Sequence, residues 1–141
     1  MKKLTLNLVL PFTVILFLTV SRGICAQIED APNSGLDGFP LPYTCPNWGS
    51  SMALQFFVVE FIFDLLVYFA LVYLIVYLID RLVYPIKPYK AISITLYVLA
   101  SIFLCLAVLM YSQDTTFYLH RDFDIKVIRS GLSFWGYYPS C

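Results

Sequence analysis

The sequence predicts an all-α membrane protein built on an antiparallel transmembrane helical hairpin, and three observations lead to this fold class. Of the 141 residues, 60% are hydrophobic and only 13% are charged, too few for the polar surface of a water-soluble domain of this size. The mean hydropathy is +0.80. Two apolar runs, residues 52–80 and 91–111, are long enough to cross a hydrocarbon layer of about 30 Å as helices.

The apolar segment that opens the chain, residues 1–26, supports two interpretations. It begins with positive charge and ends at Ala26, where a signal peptidase could cut before Gln27; this pattern is typical of a cleavable export signal. However, the apolar run contains Pro11 and is followed by Arg22, which favours a retained N-terminal anchor helix. The sequence leaves both interpretations open.

Charge predicts which segments lie on each side of the bilayer. Residues 27–51 carry three acids and no base, whereas the turn at residues 81–90 carries three bases beside a single acid, Asp80. Because cytoplasmic loops are enriched in Lys and Arg, the turn is predicted to be cytoplasmic. We therefore expect a multi-pass protein of the bacterial inner membrane, with residues 27–51 and the tail 112–141 on the periplasmic side.

Both periplasmic segments have recognisable patterns. Residues 27–51 are rich in Pro and Gly, which predicts an extended, looping stretch. In the tail, apolar and charged residues alternate over residues 123–127, and Ser130 and Gly131 could form a turn. The tail is therefore predicted to form a small β-hairpin on the membrane surface.

A stripe of polar side chains interrupts the first long apolar run. Glu60, Asp64 and Tyr68 are spaced by four residues and share one face of a helix. Ser101 and Cys105 form a polar stripe on the second run at about the same depth, so we expect the two stripes to pack together through hydrogen bonds. Two alternatives stay open for the acids: a proton or cation path, or pairing with a basic group of a partner protein.

Two cysteines are predicted to face the oxidising compartment. Cys45 lies in the first outer segment and Cys141 ends the tail. A disulfide bond between them is therefore the natural pairing. A catalytic dithiol is disfavoured because the chain has no Cys-x-x-Cys motif.

Four aromatic side chains are candidate anchors at the membrane surface: Trp48, Trp135, Tyr137 and Tyr138. Their rings combine an apolar body with a polar rim, which suits the interface between lipid and water. The alternative is a docking face for another protein.

No motif for catalysis, a metal or a cofactor is recognisable. The chain has a single histidine, His120, and lacks a phosphate-binding loop, a nucleophile elbow and a zinc helix motif. We therefore expect neither an enzyme nor a bound metal or cofactor. The predicted mature chain has a mild negative charge, which gives no reason to expect nucleic-acid binding.

One pair of short motifs resembles a known pattern. "GFPLPY", residues 38–43, precedes an apolar helix with "FDLLVYF", residues 63–69. This combination resembles small, uncharacterised prokaryotic membrane proteins in which a proline-rich outer segment precedes an aspartate-containing helix. The resemblance implies a membrane location and no particular activity.

The sequence thus predicts a small accessory, assembly or regulatory protein that lies in the lipid bilayer and binds another membrane protein or itself. One alternative is an oligomeric conductor of protons or ions that uses Glu60 and Asp64. Another is an immunity-type protector against a pore-forming toxin.

Overall fold

The structure is a computed structural model that describes residues 5–28, 31–47, 53–82, 89–111 and 115–134. The helices are α1 (Leu10–Thr19), which follows a π-helical turn (Thr5–Val9), α2 (Val58–Leu82) and α3 (Lys90–Tyr111). The strands are β1 (Val20–Ile28), β2 (Ala31–Asp37), β3 (Thr44–Pro46), β4 (Leu54–Phe57), β5 (Thr115–Tyr118) and β6 (Ile125–Phe134).

The predicted all-α fold class is wrong, because the strands form one six-stranded sheet and the fold is α+β. The strand order is β5-β4-β3-β2-β1-β6, and each neighbouring pair is antiparallel except β4 and β5, which are parallel. Long-range pairing creates this sheet: β1 pairs with β6 from the opposite end of the chain. Local periodicity contains no signal for such a partner.

The sheet joins the helices at one of their ends. Helix α1 runs directly into β1, and β4 runs directly into α2. Helix α3 ends shortly before β5. The C-terminal ends of α1 and α3 and the N-terminal end of α2 are therefore the ends that adjoin strands of the sheet.

Helix α1 separates the two long helices, which were predicted to pack directly against each other. It contacts both α2 and α3, and among the described residues α2 and α3 contact each other less than either contacts α1. Val9, Val72 and Val76 form a buried apolar cluster between the N-terminal segment and α2. On the other side, the Tyr97 hydroxyl donates a hydrogen bond to the Leu6 carbonyl at 2.6 Å.

The predicted boundaries need two corrections. The first long helix begins at Val58 and not at residue 52, because residues 54–57 are equally apolar but pair as β4. The tail forms no β-hairpin within its described part, since residues 125–134 are one continuous strand. Ser130 and Gly131 pair with Ile24 and Gly23 of β1 and do not turn.

A compact apolar cluster holds the sheet together. Its buried members are Ile24, Ala26, Leu36, Cys45 and Phe57. Residues 119–124 connect strands at opposite edges of the sheet and so cross one of its faces, where Phe123 packs on the cluster. Each large side chain buried in this way stabilises the fold by about 1.5–3 kcal/mol.

The possible cleavage point before Gln27 falls inside β1. Both sides of that point, Ala26 and Gln27, pair with β6. Removal of residues 1–26 would also remove α1, the helix that lies between α2 and α3. The choice between cleavage and retention therefore decides whether this sheet and this helix packing form at all.

Two helices, α2 and α3, are long and apolar enough to cross a membrane. Most of their large apolar side chains are exposed in the isolated chain, unlike those of a core helix in a soluble protein. The greater part of the turn predicted between them, residues 83–88, lies outside the described residues.

Candidate functional site at the junction of helix α2 and the sheet

Two carboxylates are buried where α2 meets the sheet. Glu60 and Asp64 lie in the first two turns of α2, and their exposed fractions are 4% and 0%. Buried carboxylates are rare unless hydrogen bonds or opposite charges compensate for lost hydration. Their partners therefore explain why an apolar helix contains them.

Asp64 holds the turn that follows β2. Its Oδ1 accepts a hydrogen bond from the Leu41 backbone N–H at 3.0 Å, and the Phe39 N–H also donates to this carboxyl. Pro40, between them, has no N–H to offer. A single carboxylate thus satisfies both free donors of this tight turn.

Gly38 makes the close approach of this turn possible. Its φ is +148°, in the region that favours glycine. A Cβ at this position would lie 2.3 Å from the Leu41 carbonyl oxygen. The motif "GFPLP" therefore combines a glycine that permits the turn with two amides that Asp64 binds.

Glu60 holds the connection between β5 and β6. Its Oε1 accepts a hydrogen bond from the Arg121 backbone N–H at 3.2 Å and lies 2.8 Å from His120 Nδ1. The His120 side chain is 69% exposed, so water screens this pair and its contribution is small. The backbone contact is the more protected of the two.

Tyr68 completes the polar face of α2. Its hydroxyl donates to the Val20 carbonyl, the first residue of β1, at 2.7 Å. The predicted stripe of Glu60, Asp64 and Tyr68 thus lies on one side of α2. It contacts three different segments at the sheet end, and not helix α3.

The polar groups predicted to face this stripe lie elsewhere. Ser101 is exposed and donates to the Val98 carbonyl of its own helix at 2.9 Å. Cys105 is an exposed free thiol. The predicted packing of the two stripes is therefore wrong, because α1 lies between the helices and the acids are bound by the sheet end.

Three buried polar atoms of the junction lack a hydrogen-bond partner among the described residues: Glu60 Oε2, Asp64 Oδ2 and Arg121 Nε. An uncompensated buried polar atom is costly and usually indicates bound water, an ion or a proton. These carboxyl oxygens are the atoms on which a conduction path would depend.

A cavity of about 410 Å³ lies between α1, α3 and the sheet. Its walls are largely aromatic, with Phe17, Tyr43 and Phe103 among them, and Ser21 and Asp37 form its polar end. The Ser21 hydroxyl donates to Asp37 Oδ1. Burial raises the pKa of Asp37, although its hydrogen bonds with Ser21 and Gly38 oppose that rise. The cavity therefore suits an apolar group better than a charged one.

A second cavity of about 470 Å³ lies on the other side of β1, against α2. Arg22, Tyr68 and Ser130 form its polar end, and side chains of α1 and α2, including Leu16 and Val67, form its apolar end. Arg22 Nη2 donates to Ser130 Oγ at 2.6 Å. This cavity therefore places a cationic side chain and several apolar side chains around one space.

The predicted disulfide through Cys45 does not form. Cys45 is a buried free thiol whose Sγ lies 3.5 Å from Gln55 Oε1, and burial raises its pKa to about 11. Such a thiol is inert at neutral pH. Cys25 of β1 is the described cysteine that is disulfide-bonded, and Cys141 lies outside the described residues.

The four predicted interface aromatics, Trp48, Trp135, Tyr137 and Tyr138, also lie outside the described residues. Within the described ranges, no group of three or more His, Cys, Asp or Glu side chains could hold a metal ion. The expectation that the protein binds no metal stays a prediction.

The sequence prediction missed Asp37, Ser21 and Arg22. A signal was available for Asp37, since an aspartate directly before the glycine of a tight turn often has a structural partner. Arg22 was considered only as an obstacle to cleavage. Comparison with known protein families, curated proteins and solved structures finds no match for this chain.

Proposed function

We propose that the protein is a membrane-anchored accessory protein that binds another membrane protein through strand β6. In this proposal α2 and α3 cross the bilayer and the sheet lies at its surface. The bases near residues 81–90 support a cytoplasmic turn. The sheet is then on the periplasmic side of a bacterial inner membrane.

The observation that carries the proposal is that β6 has exposed apolar side chains and an unpaired outer edge. Val127 and Ile128 are adjacent apolar residues where β6 shifts its register against β1, and they are 54% and 57% exposed. No strand pairs with the outer edge of β6 in the described part of the chain. An apolar strand with a free edge can accept an extended segment of another protein as an additional strand.

Charge favours a different protein over a second copy of this chain. Lys126 and Arg129 flank the apolar pair and are exposed. Two copies of β6 would bring these like charges together at a shared edge, and such charges commonly prevent edge-to-edge association. A partner segment with acidic side chains would instead be complementary.

The test uses a photo-crosslinking amino acid placed at Ile128 in living cells. The control position is Asp122, which is exposed in the connection before β6. We expect one defined protein adduct from position 128 and none from position 122. Ile128→Lys with the crosslinker at position 127 should lose the adduct. Absence of any adduct, or an adduct only with a second copy, would contradict the proposal.

One observation favours the alternative of an ion or proton conductor: the unpartnered Glu60 Oε2 and Asp64 Oδ2. The contacts of both acids with the backbone support a structural role instead. Flux through liposomes that contain the purified protein separates the two. A conductor would give ion flux with the unchanged protein and none with Asp64→Asn. A structural role predicts no flux from either of these two proteins. The role as an immunity-type protector stays a prediction.

A further inference from the structure

The cavity on the α2 side of β1 has both polar and apolar walls. Its polar side chains include Arg22 and Ser130 on the sheet and Tyr68 on α2, and we call this sheet side its polar end. Its apolar end contains Leu16 of α1 with Val67 and Leu71 of α2. The polar end adjoins the sheet, and the apolar end follows a helix that could span a membrane.

Arg22 brings a positive charge to this cavity. Its guanidinium has five N–H donors, and Ser130 accepts one of them. Among the described residues, no carboxylate forms an ion pair with it. Asp37, opposite the neighbouring Gly23, bonds to Ser21 and Gly38 instead. An anion in the cavity would therefore gain charge-assisted hydrogen bonds and would displace no carboxylate of the described residues from Arg22.

The apolar end determines what kind of anion fits. Leu71 is half exposed, so the channel is open toward the surroundings of α2. A small inorganic anion would leave these apolar walls unfilled. The volume of about 470 Å³ lies within the usual range for ligand pockets, roughly 300–1,000 Å³. A ligand with an anionic head and an apolar chain would use both ends.

We propose that this cavity binds an anionic phospholipid of the surrounding membrane. The phosphate group accepts hydrogen bonds from Arg22 and Ser130. The acyl chain lies along Leu16, Val67 and Leu71, between α1 and α2. Ser130 belongs to β6, so this strand contributes both to the cavity and to the proposed protein-binding edge. The lipid site rests on the proposed membrane location and requires no partner bound at that edge.

The test measures lipid retained by the full chain purified in mild detergent, by native mass spectrometry. The probes are phosphatidylglycerol, phosphatidylcholine of the same acyl chains, and inorganic phosphate. We expect retention of phosphatidylglycerol over phosphatidylcholine. Arg22→Gln should weaken that retention about tenfold, since a hydrogen bond to a charged group is lost. The matched control is Arg81→Gln, an exposed arginine at the other end of α2, which should retain lipid as the unchanged protein does.

A second variant protects the test against misfolding of Arg22→Gln. Leu71→Trp adds bulk to the apolar end and leaves the charge in place, and it should also reduce retention of phosphatidylglycerol. Equal retention of the two lipids, or equal loss for Arg22→Gln and Arg81→Gln, would overturn the proposal. Competition by inorganic phosphate at the same concentration as the lipid would also overturn it, because the apolar end would then contribute nothing.

Discussion

Helices α2 and α3 are both long and apolar enough to cross a membrane, yet they differ in whether their polar side chains are buried or exposed. Helix α2 buries Glu60 and Asp64 against backbone amides of the sheet end. Helix α3 leaves Ser101 and Cys105 exposed among apolar side chains. Two helices of similar composition therefore have different structural roles. Helix α2 binds segments at the end of the sheet, whereas the polar side chains Ser101 and Cys105 of α3 lie on an exposed surface.

The difference shows where polar groups of an apolar helix find their partners. The acids of α2 contact segments that are 23 and 61 positions away in the chain. These contacts connect the end of α2 to the turn after β2 and to the connection before β6. Four predictions test this difference between the helices and the polar groups of the adjoining sheet, and we take them from the largest expected effect to the smallest.

Asp64→Leu should have the largest effect. It leaves the part-buried N–H group of Leu41 and the N–H group of Phe39 without an acceptor, at a cost of up to about 1–3 kcal/mol each. We expect a loss of roughly 2–5 kcal/mol in the free energy of unfolding, measured by thermal unfolding in detergent. Asp64→Asn is the control, because its amide oxygen can still accept. Equal stability of Asp64→Leu and the unchanged protein would contradict the structural role.

Glu60→Leu should have a smaller effect of the same kind. It removes the acceptor for the Arg121 N–H but loses only a screened contact with exposed His120. We expect a loss of about 1–3 kcal/mol, together with faster hydrogen exchange at the Arg121 amide. His120→Ala, the control, should change stability by at most about 1 kcal/mol. A loss for His120→Ala as large as that for Glu60→Leu would show that the ion pair dominates.

Asp37 should make stability depend on pH. Burial raises its pKa above the ordinary value of 3.8, so the folded state holds the proton more tightly than the unfolded state. The contribution to stability is complete below pH 3.8 and is lost as the pH rises through the raised pKa. Asp37→Asn keeps an acceptor for Ser21 and should flatten this dependence in unfolding measured from about pH 4 to 8. An unchanged pH profile would assign the dependence to another group.

Ser101→Leu and Cys105→Leu should have the smallest effect. Both side chains are exposed on α3, and exposed substitutions usually change stability by less than about 0.5 kcal/mol. The measurement is thermal unfolding of the purified protein, with Asp64→Leu as the destabilised reference. A loss of stability above 1 kcal/mol in either variant would mean that α3 has a polar partner after all.

Part of the candidate site was predictable from the sequence. The four-residue spacing of Glu60, Asp64 and Tyr68 correctly placed them on one face of α2, because helical periodicity is local. Their partners were not predictable, because Leu41 and Arg121 meet them only after the sheet has formed. The failed prediction for Ser101 and Cys105 has the same cause. Their predicted interface with α2 does not form, because α1 lies between α2 and α3.

The fold was predictable only in its helices. Residues 58–82 and 90–111 form helices close to the expected ranges. The strands escaped prediction for two reasons. Residues 20–28 resemble the end of a signal peptide, and residues 54–57 are too apolar to distinguish from the helix that follows. Pairing between β1 and β6 depends on positions more than a hundred residues apart, such as Arg22 and Ser130, and no local pattern reports it.

The pairing of β1 with β6 also constrains how the protein is made. Gly23 pairs with Gly131, so the ribosome must synthesise the chain beyond residue 131 before this part of β1 obtains its second neighbour. Until then the nascent chain holds an incomplete sheet with β1 at its edge. Addition of β6 to the sheet therefore comes after synthesis of all the other strands, and a chain that stops before residue 125 would keep β1 as the edge of the sheet.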